Sequence, residues 1–115
     1  MFNKNIHGKL TKNVFVKTTT LQNIFIKNKL KRIDFLKIDA EGSEGDILRS
    51  CLPAGRSTPV SYLKKIKKIS LEFHDNVSCL KHEEIIKLLK KAGFETELNW
   101  LKGSYFGYIY GERRA

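Results

Sequence analysis

The run Ile33–Ile38 constrains the fold of this chain most, because it is short, apolar and followed at once by a polar turn. Only Asp34 and Lys37 interrupt the run, and so compact an apolar block is typical of a strand. Residues 39–43 then bring two carboxylates and a glycine to the end of that strand. A helix is expected next, with Ser43 as its candidate N-cap, and the proline-bearing stretch 52–61 is interpreted as a loop. The local order is therefore strand, turn, helix.

The residues before Ile33 also predict a strand followed by a helix. Residues 14–16 form a short β-prone block and are predicted to be a strand. Leu21, Ile24 and Phe25 follow at helical spacing, and one of the threonines at 18–20 is a plausible N-cap. We expect a short helix here.

The alternation continues in the second half of the chain. Apolar and polar residues alternate over 66–73, which predicts a strand. Residues 81–92 have an apolar stripe, with acids near the start and lysines near the end, and Gly93 is a natural stop. Residues 94–101 and 105–110 are predicted to be two further strands joined by a short turn.

This order of elements predicts an α/β fold. Strand–helix alternation indicates parallel pairing through right-handed crossovers, and a short turn indicates an antiparallel pair. We therefore predict a partial Rossmann-like, doubly wound sheet that is mostly parallel and ends in a C-terminal antiparallel hairpin. The 115 residues fit one domain over 1–115, with a basic N-terminal segment at 1–13 before the main region at 14–110.

The chain is strongly basic, with a formal net charge of +10. Eight Lys or Arg residues and no acid occur before Asp34, and a second basic cluster lies at 64–68. Basic surfaces attract nucleic acid and other polyanions. The alternative is that these lysines are simply solvated, and the lack of interleaved aromatic residues favours it.

Several classes of protein are disfavoured by what the sequence lacks. There is no apolar run near the roughly 20 residues of a membrane helix, and the N-terminal residues have no secretory apolar core. Cys51 and Cys79 are far apart and form no CxxC pair, which indicates ordinary thiols rather than a zinc site. We predict a cytoplasmic protein without a membrane partner.

Candidate site residues follow from the rule that open α/β sheets bind ligands beyond the carboxyl ends of their strands. Asp39 and Glu41 follow the first apolar strand, and Glu72 and His74 end the next one. If these strands are neighbours, the four side chains converge on one rim. Their spacing fits no metal motif, so we predict no metal site.

Other carboxylates nearby have simpler interpretations. Glu44 and Asp46 fall in the first turn of the predicted helix, where acids complement the helix dipole. For His74 taken alone, a surface-loop histidine is the favoured interpretation. Asp39 differs, because it ends an apolar strand, where such a position more often serves a site.

Residues 33–42, Ile-Asp-Phe-Leu-Lys-Ile-Asp-Ala-Glu-Gly, together with the following Ser43 and Glu44, resemble the central signature of FkbM-type methyltransferases. Residues 69–74, 85–94 and 107–110 are similar to later elements of that family. The resemblance implies a Rossmann-like sheet and methyl transfer from S-adenosylmethionine, usually to an oxygen of a sugar or small-molecule acceptor.

The resemblance also implies roles for the rim residues. Asp39 and Glu41 would be catalytic, with Asp39 accepting a proton from the acceptor hydroxyl or orienting it, and Glu72 and His74 would bind the acceptor. Class I methyltransferases hold the cofactor with a Gly-rich turn and a later acid. Nothing before Lys31 matches either feature, so the cofactor-binding residues stay unknown.

The chain is accordingly expected to correspond to the C-terminal half of such an enzyme, with a complementary N-terminal half or a homo-oligomer as its partner. The alternatives are an inactive fragment and a non-catalytic basic α/β module that binds nucleic acid or an acidic partner. The acids at the strand ends disfavour a polyanion at that rim.

Overall fold

A computed structural model describes residues 13–51 and 62–114. The predicted basic residues at 1–12 and the predicted loop at 52–61 lie outside the described residues. In chain order the described elements are helix α1 (Leu21–Lys27), strand β1 (Ile33–Ile38), helix α2 (Glu44–Arg49), a 3₁₀ turn (Tyr62–Lys65), strand β2 (Ile66–His74), helix α3 (His82–Lys91), strand β3 (Glu95–Trp100) and strand β4 (Phe106–Glu112). The α/β class is confirmed.

The strand predicted at 14–16 is wrong. These residues are exposed and have no regular secondary structure. A β-prone triplet is only a local preference, and a strand also needs a partner strand and a buried side. In the described residues, this triplet has neither.

The helix ends follow the predicted signals only in part. Thr20 is the N-cap of α1, and its Oγ1 accepts the backbone N–H of Asn23 at 3.1 Å. Ser43 occupies the N-cap position of α2, but its side chain makes no capping hydrogen bond. Gly93 has a φ of 97°, a left-handed conformation that suits glycine at the end of α3.

The prediction of a mostly parallel sheet is wrong for the described residues. The strand order is β1-β2-β4-β3, in which β1 and β2 are parallel and the other two pairings are antiparallel. The predicted hairpin of the last two strands is confirmed. Strand β3 runs in the same direction as β2, as its helical connection requires, but β4 returns between them and separates them.

Small residues on β4 explain how this strand fits between its neighbours. Gly107 and Gly111 point to the buried side, and a Cβ on either would lie 2.7 Å from Phe73 or 2.8 Å from Ile69. The intervening Ile109 is fully buried. The large side chains of β2 therefore fill the space that the glycines leave.

The sheet buries one face. The buried side chains of the helices and of that face form one core cluster, which includes Phe25, Leu48, Ile69, Leu71, Phe73, Ile85, Leu89 and Ile109. The opposite face, here called the outer face, exposes Phe35, Tyr108 and Tyr110. Within 13–51 and 62–114 the helices cover only the buried face, so the predicted doubly wound arrangement is not seen there. No described helix has the length and apolar character needed to cross a membrane.

Candidate active site

The parallel pairing of β1 and β2 brings two polar segments together. Ile38 pairs with Leu71, so the residues that follow β1 lie beside the last residues of β2. The carboxyl ends of the two strands therefore meet at one edge of the sheet, as the prediction required. His74 ends β2 at this edge and is the centre of the site.

Three carboxylates surround the imidazole of His74. Its Nδ1 lies 2.6 Å from Glu44 Oε1, and its Nε2 lies 3.4 Å from Glu72 Oε1 and 3.5 Å from Glu41 Oε2. The His74 side chain is only 13% exposed, so the surface-loop interpretation is wrong. The structure thus brings together three of the four predicted site residues, namely Glu41, Glu72 and His74.

Glu44 is the residue that sequence reasoning missed. Its side chain is 0% exposed, whereas a helix-dipole role predicts a solvated carboxylate. Oε1 also accepts the backbone N–H of Gly42 at 3.1 Å. The sequence did contain a signal, because Glu44, Leu48 and Cys51 are spaced as one helix face and all three are buried. Helical spacing therefore placed Glu44 on the buried side of α2.

Two glycines allow the segment after β2 to close on the segment after β1. Gly42 has a φ of 110°, and a Cβ there would lie 2.5 Å from Val77. Gly45 lies within α2, and a Cβ there would lie 2.8 Å from the Sγ of Cys79. A larger residue at either position would press on Val77 or on Cys79 and Leu80, so the segment after β2 would have to shift.

The carboxylates determine the charge state of His74. Burial on its own would lower the pKa of His74, since it disfavours the charged ring. The hydrogen bond and negative charge of Glu44, together with the charges of Glu41 and Glu72, outweigh burial and raise that pKa above 6.5. The protonated ring is therefore favoured at a higher pH than in an ordinary histidine.

Asp39 occupies a different part of the same edge. It is exposed, and its carboxylate pairs with no other charged group of the described residues. It lies at the rim of an open hollow of about 320 Å³ on the outer face, which Glu72 also lines. Tyr108 and Tyr110 form the aromatic wall of this hollow. Glu72 thus joins the hollow to the carboxylate cluster around His74.

The carboxylate cluster resembles a metal site in composition but not in arrangement. Across the two described ranges, no group of three or more His, Cys, Asp or Glu side chains could hold a metal ion. Instead, Glu44 and His74 form a hydrogen-bonded pair. Such a pair can hold or move a proton at Nε2, which lies 3.4 Å from Glu72, a residue that also lines the hollow.

Comparison with known proteins identifies the family. No curated protein and no solved structure matches the chain. The sequence model of the methyltransferase FkbM domain matches residues 2–96, which is most of the chain. That match includes β1, the turn after it and His74. The chain therefore belongs to the FkbM methyltransferase domain family.

Proposed function

We propose that the described residues form the acceptor side of an S-adenosylmethionine-dependent methyltransferase, and that the acceptor is a hydroxyl group of a sugar or other hydroxylated small molecule. The observation that carries this proposal is the contact of His74 with Glu41, Glu44 and Glu72 beside an open hollow. Family membership supports methyl transfer as the reaction class.

The hollow suits a neutral, hydroxylated acceptor. Asp39 and Glu72 supply carboxylate oxygens that can accept hydrogen bonds from two hydroxyl groups. Tyr108 and Tyr110 supply aromatic surface for the apolar side of a sugar ring or another flat group. Lys37 also lines the hollow, so two carboxylates face one ammonium group there, and this balance disfavours a polyanion.

The described residues are less suited to bind the methyl donor than the acceptor. S-adenosylmethionine, when bound, supplies an electrophilic methyl group. A nucleotide-type cofactor needs glycines that leave the backbone open to it. Gly42 and Gly45 do not leave their backbone open, because Val77 and Cys79 fill the space beside them. The N–H of Gly42 already donates a hydrogen bond to Glu44. We therefore assign only the acceptor side to these residues.

The partner and the wider fold are part of the proposal. A complementary polypeptide or a second copy of the chain would supply the donor side. The common direction of β1, β2 and β3, with helical connections between them, supports a Rossmann-like arrangement for the complete enzyme. Asp39 would orient the acceptor hydroxyl at the rim, and Glu41 would lie across it from Glu72.

An NMR titration of the isotope-labelled chain tests the acceptor proposal. The ligands are neutral monosaccharides and other polyols, with a duplex oligonucleotide as the competing class. We expect a sugar-type ligand to shift the amide signals of residues 39–42 and 72–74. Asp39→Asn should weaken that binding about tenfold, as the loss of a charged hydrogen bond predicts. Glu97→Gln, an exposed substitution on β3, should not weaken it. Shifts with the oligonucleotide alone, or with no ligand, would overturn the proposal.

A further inference from the structure

The ring of His74 is held firmly on one side and loosely on the other. Nδ1 makes a hydrogen bond of 2.6 Å to Glu44, which is buried and fixed by the backbone of Gly42. Nε2 faces Glu72 and Glu41 at 3.4 and 3.5 Å, and the Glu41 side chain is 81% exposed. The contacts of Nε2 are therefore long, and one of them is to a solvent-exposed side chain that an acceptor could displace.

The same contacts define which nitrogen carries the proton in the neutral ring. A carboxylate accepts hydrogen bonds only, so Nδ1 must donate to Glu44. In the neutral ring Nε2 then has a free lone pair, and it points toward the rim beside Glu72. This is the arrangement of a general base whose second nitrogen is oriented by a carboxylate.

We propose that Glu44 is a positioning residue that holds His74 so that Nε2 accepts the proton of the acceptor hydroxyl. This proposal rests on the proposed function. In the step, the O–H bond breaks, its proton passes to Nε2, and its electron pair stays on the acceptor oxygen, which becomes the nucleophile. The Nδ1 proton stays between His74 and Glu44, and the imidazolium that forms is balanced by the Glu44 carboxylate.

The burial of Glu44 supports a functional role for it. Its second oxygen, Oε2, is buried and has no hydrogen-bond partner in the part of the chain that the structure describes. A buried, incompletely bonded carboxylate costs stability, and apolar residues of similar size often replace buried ion pairs without loss. A merely structural role would be served better by an apolar side chain at this buried position. His74 provides the reason for a carboxylate at this position.

The alternative assignment makes Asp39 the residue that accepts the proton of the acceptor hydroxyl. Asp39 is exposed, and no side chain of the described residues holds its carboxylate in one orientation. A general base must be held in a fixed orientation toward the proton that it accepts. His74 meets that condition, because Glu44 holds its Nδ1 at 2.6 Å and leaves Nε2 facing the rim beside Glu72. Asp39 keeps the orienting role on this assignment.

A ring-nitrogen NMR experiment on the whole chain tests the proposal without any assay of turnover. Long-range ¹H–¹⁵N correlation spectra report the tautomer of each histidine, and a pH titration reports its pKa. The chain has 3 histidines, and His74→Gln assigns the signal. We expect neutral His74 to carry its proton on Nδ1. In Glu44→Gln we expect its pKa to fall by about one unit or more, since a buried charge partner is lost.

Two controls make the outcome specific. Glu41→Gln should lower the pKa of His74 less, because the Glu41 side chain is exposed and 3.5 Å away. The signal of His82, which contacts Asp75 instead, should not move in either variant. An Nε2-protonated neutral ring in the unmodified chain would overturn the proposal, even if Glu44→Gln failed to fold. An unchanged pKa of His74 in a folded Glu44→Gln would also overturn it.

The acceptor titration separates this result from the proposed function. If no hydroxylated ligand binds, the proposed function fails while the tautomer and the pKa of His74 still report on Glu44. If a ligand does bind, we expect it to shift the Nε2 signal of His74 more than the Nδ1 signal. A shift confined to Nδ1 would place the acceptor on the wrong side of the ring and contradict the proton-transfer step.

Discussion

Asp75 binds His82 through both of its carboxylate oxygens. Oδ1 accepts the backbone N–H of His82 at 2.7 Å, and Oδ2 lies 2.5 Å from its Nδ1. The His82 ring is buried and lies between Phe73 and Trp100, with ring centroids 4.8 and 4.5 Å away. Asp75 thus ties the segment after β2 to the first residue of α3, and it does so next to His74. Its carboxylate supports the site and does not join the carboxylate cluster around His74.

Asp75→Ala should destabilise the chain. It leaves the buried His82 ring without its carboxylate and removes an acceptor at the start of α3. We expect the free energy of unfolding to fall by about 2–3 kcal/mol, the usual cost of a buried, charge-assisted hydrogen bond. Urea unfolding followed by circular dichroism measures it. Asn76→Ala, an exposed neighbour, should change it by less than about 0.5 kcal/mol. Equal effects of the two substitutions would contradict this role.

Arg113 joins three elements at the opposite end of the sheet. Its guanidinium donates to the carbonyls of Ala92 at 2.6 Å, Leu63 at 2.9 Å and Ile66 at 3.2 Å. A lysine presents a single ammonium group and cannot reach three carbonyls in this planar geometry.

Arg113→Lys should therefore lower the free energy of unfolding by about 2 kcal/mol, from the loss of hydrogen bonds to buried carbonyls. The adjacent Arg114 makes an exposed ion pair with Glu95 at 2.8 Å, which makes Arg114→Lys a matched control. Exposed pairs contribute little, and we expect a change of less than about 0.5 kcal/mol. The same urea experiment compares the two variants. A stability loss as large in Arg114→Lys would show that the carbonyl contacts are unimportant.

Gly45→Ala should disturb the site more than the helix that contains it. Alanine favours helix, but its Cβ would lie 2.8 Å from Cys79 Sγ and 3.0 Å from the backbone N of Leu80. The segment after β2 must move away, at a cost of about 1–3 kcal/mol for overpacking. The separation also lengthens the Glu44–His74 contact, so the pKa of His74 should fall toward its ordinary value.

Gly103→Ala provides the comparison. Gly103 also has a positive φ, 90°, but a Cβ there would meet nothing within 4 Å. This substitution should cost some stability through backbone strain and leave the pKa of His74 unchanged. NMR titration of both variants checks the difference. An unchanged pKa in Gly45→Ala would mean that the loop contact does not hold the pair together.

The raised pKa of His74 predicts a pH dependence of stability. Its folded pKa lies above the ordinary 6.5 because the carboxylates of Glu44, Glu41 and Glu72 outweigh burial. The stabilisation is therefore fully present below about pH 6.5 and is lost as the pH rises through the folded pKa. We expect the difference in unfolding free energy between the unmodified chain and His74→Gln to decrease over that window. A difference that is flat or that grows with pH would contradict the sign of the shift.

The sequence predicted the elements that depend on local signals. The apolar run of β1, the alternation in β2 and the amphipathic stripe of α3 all became the expected elements, because periodicity and helix-end residues act over a few neighbouring positions. The family signature at 33–42 was likewise readable, and the family match confirms it. Asp39, Glu41, Glu72 and His74 were placed at strand ends by the same local reasoning, and their roles stay predictions.

Tertiary structure alone decided the strand order and the partner of His74. Strand β4 lies between β2 and β3 because Gly107 and Gly111 leave room for side chains that are distant in sequence. Residues 14–16 are β-prone but pair with nothing described. From the sequence, Glu44 was interpreted as an acid in the first turn of a helix. Only the packing of α2 against β2 placed its carboxylate 2.6 Å from His74. Such contacts depend on which surfaces meet across the fold, and local spacing carries no information about that.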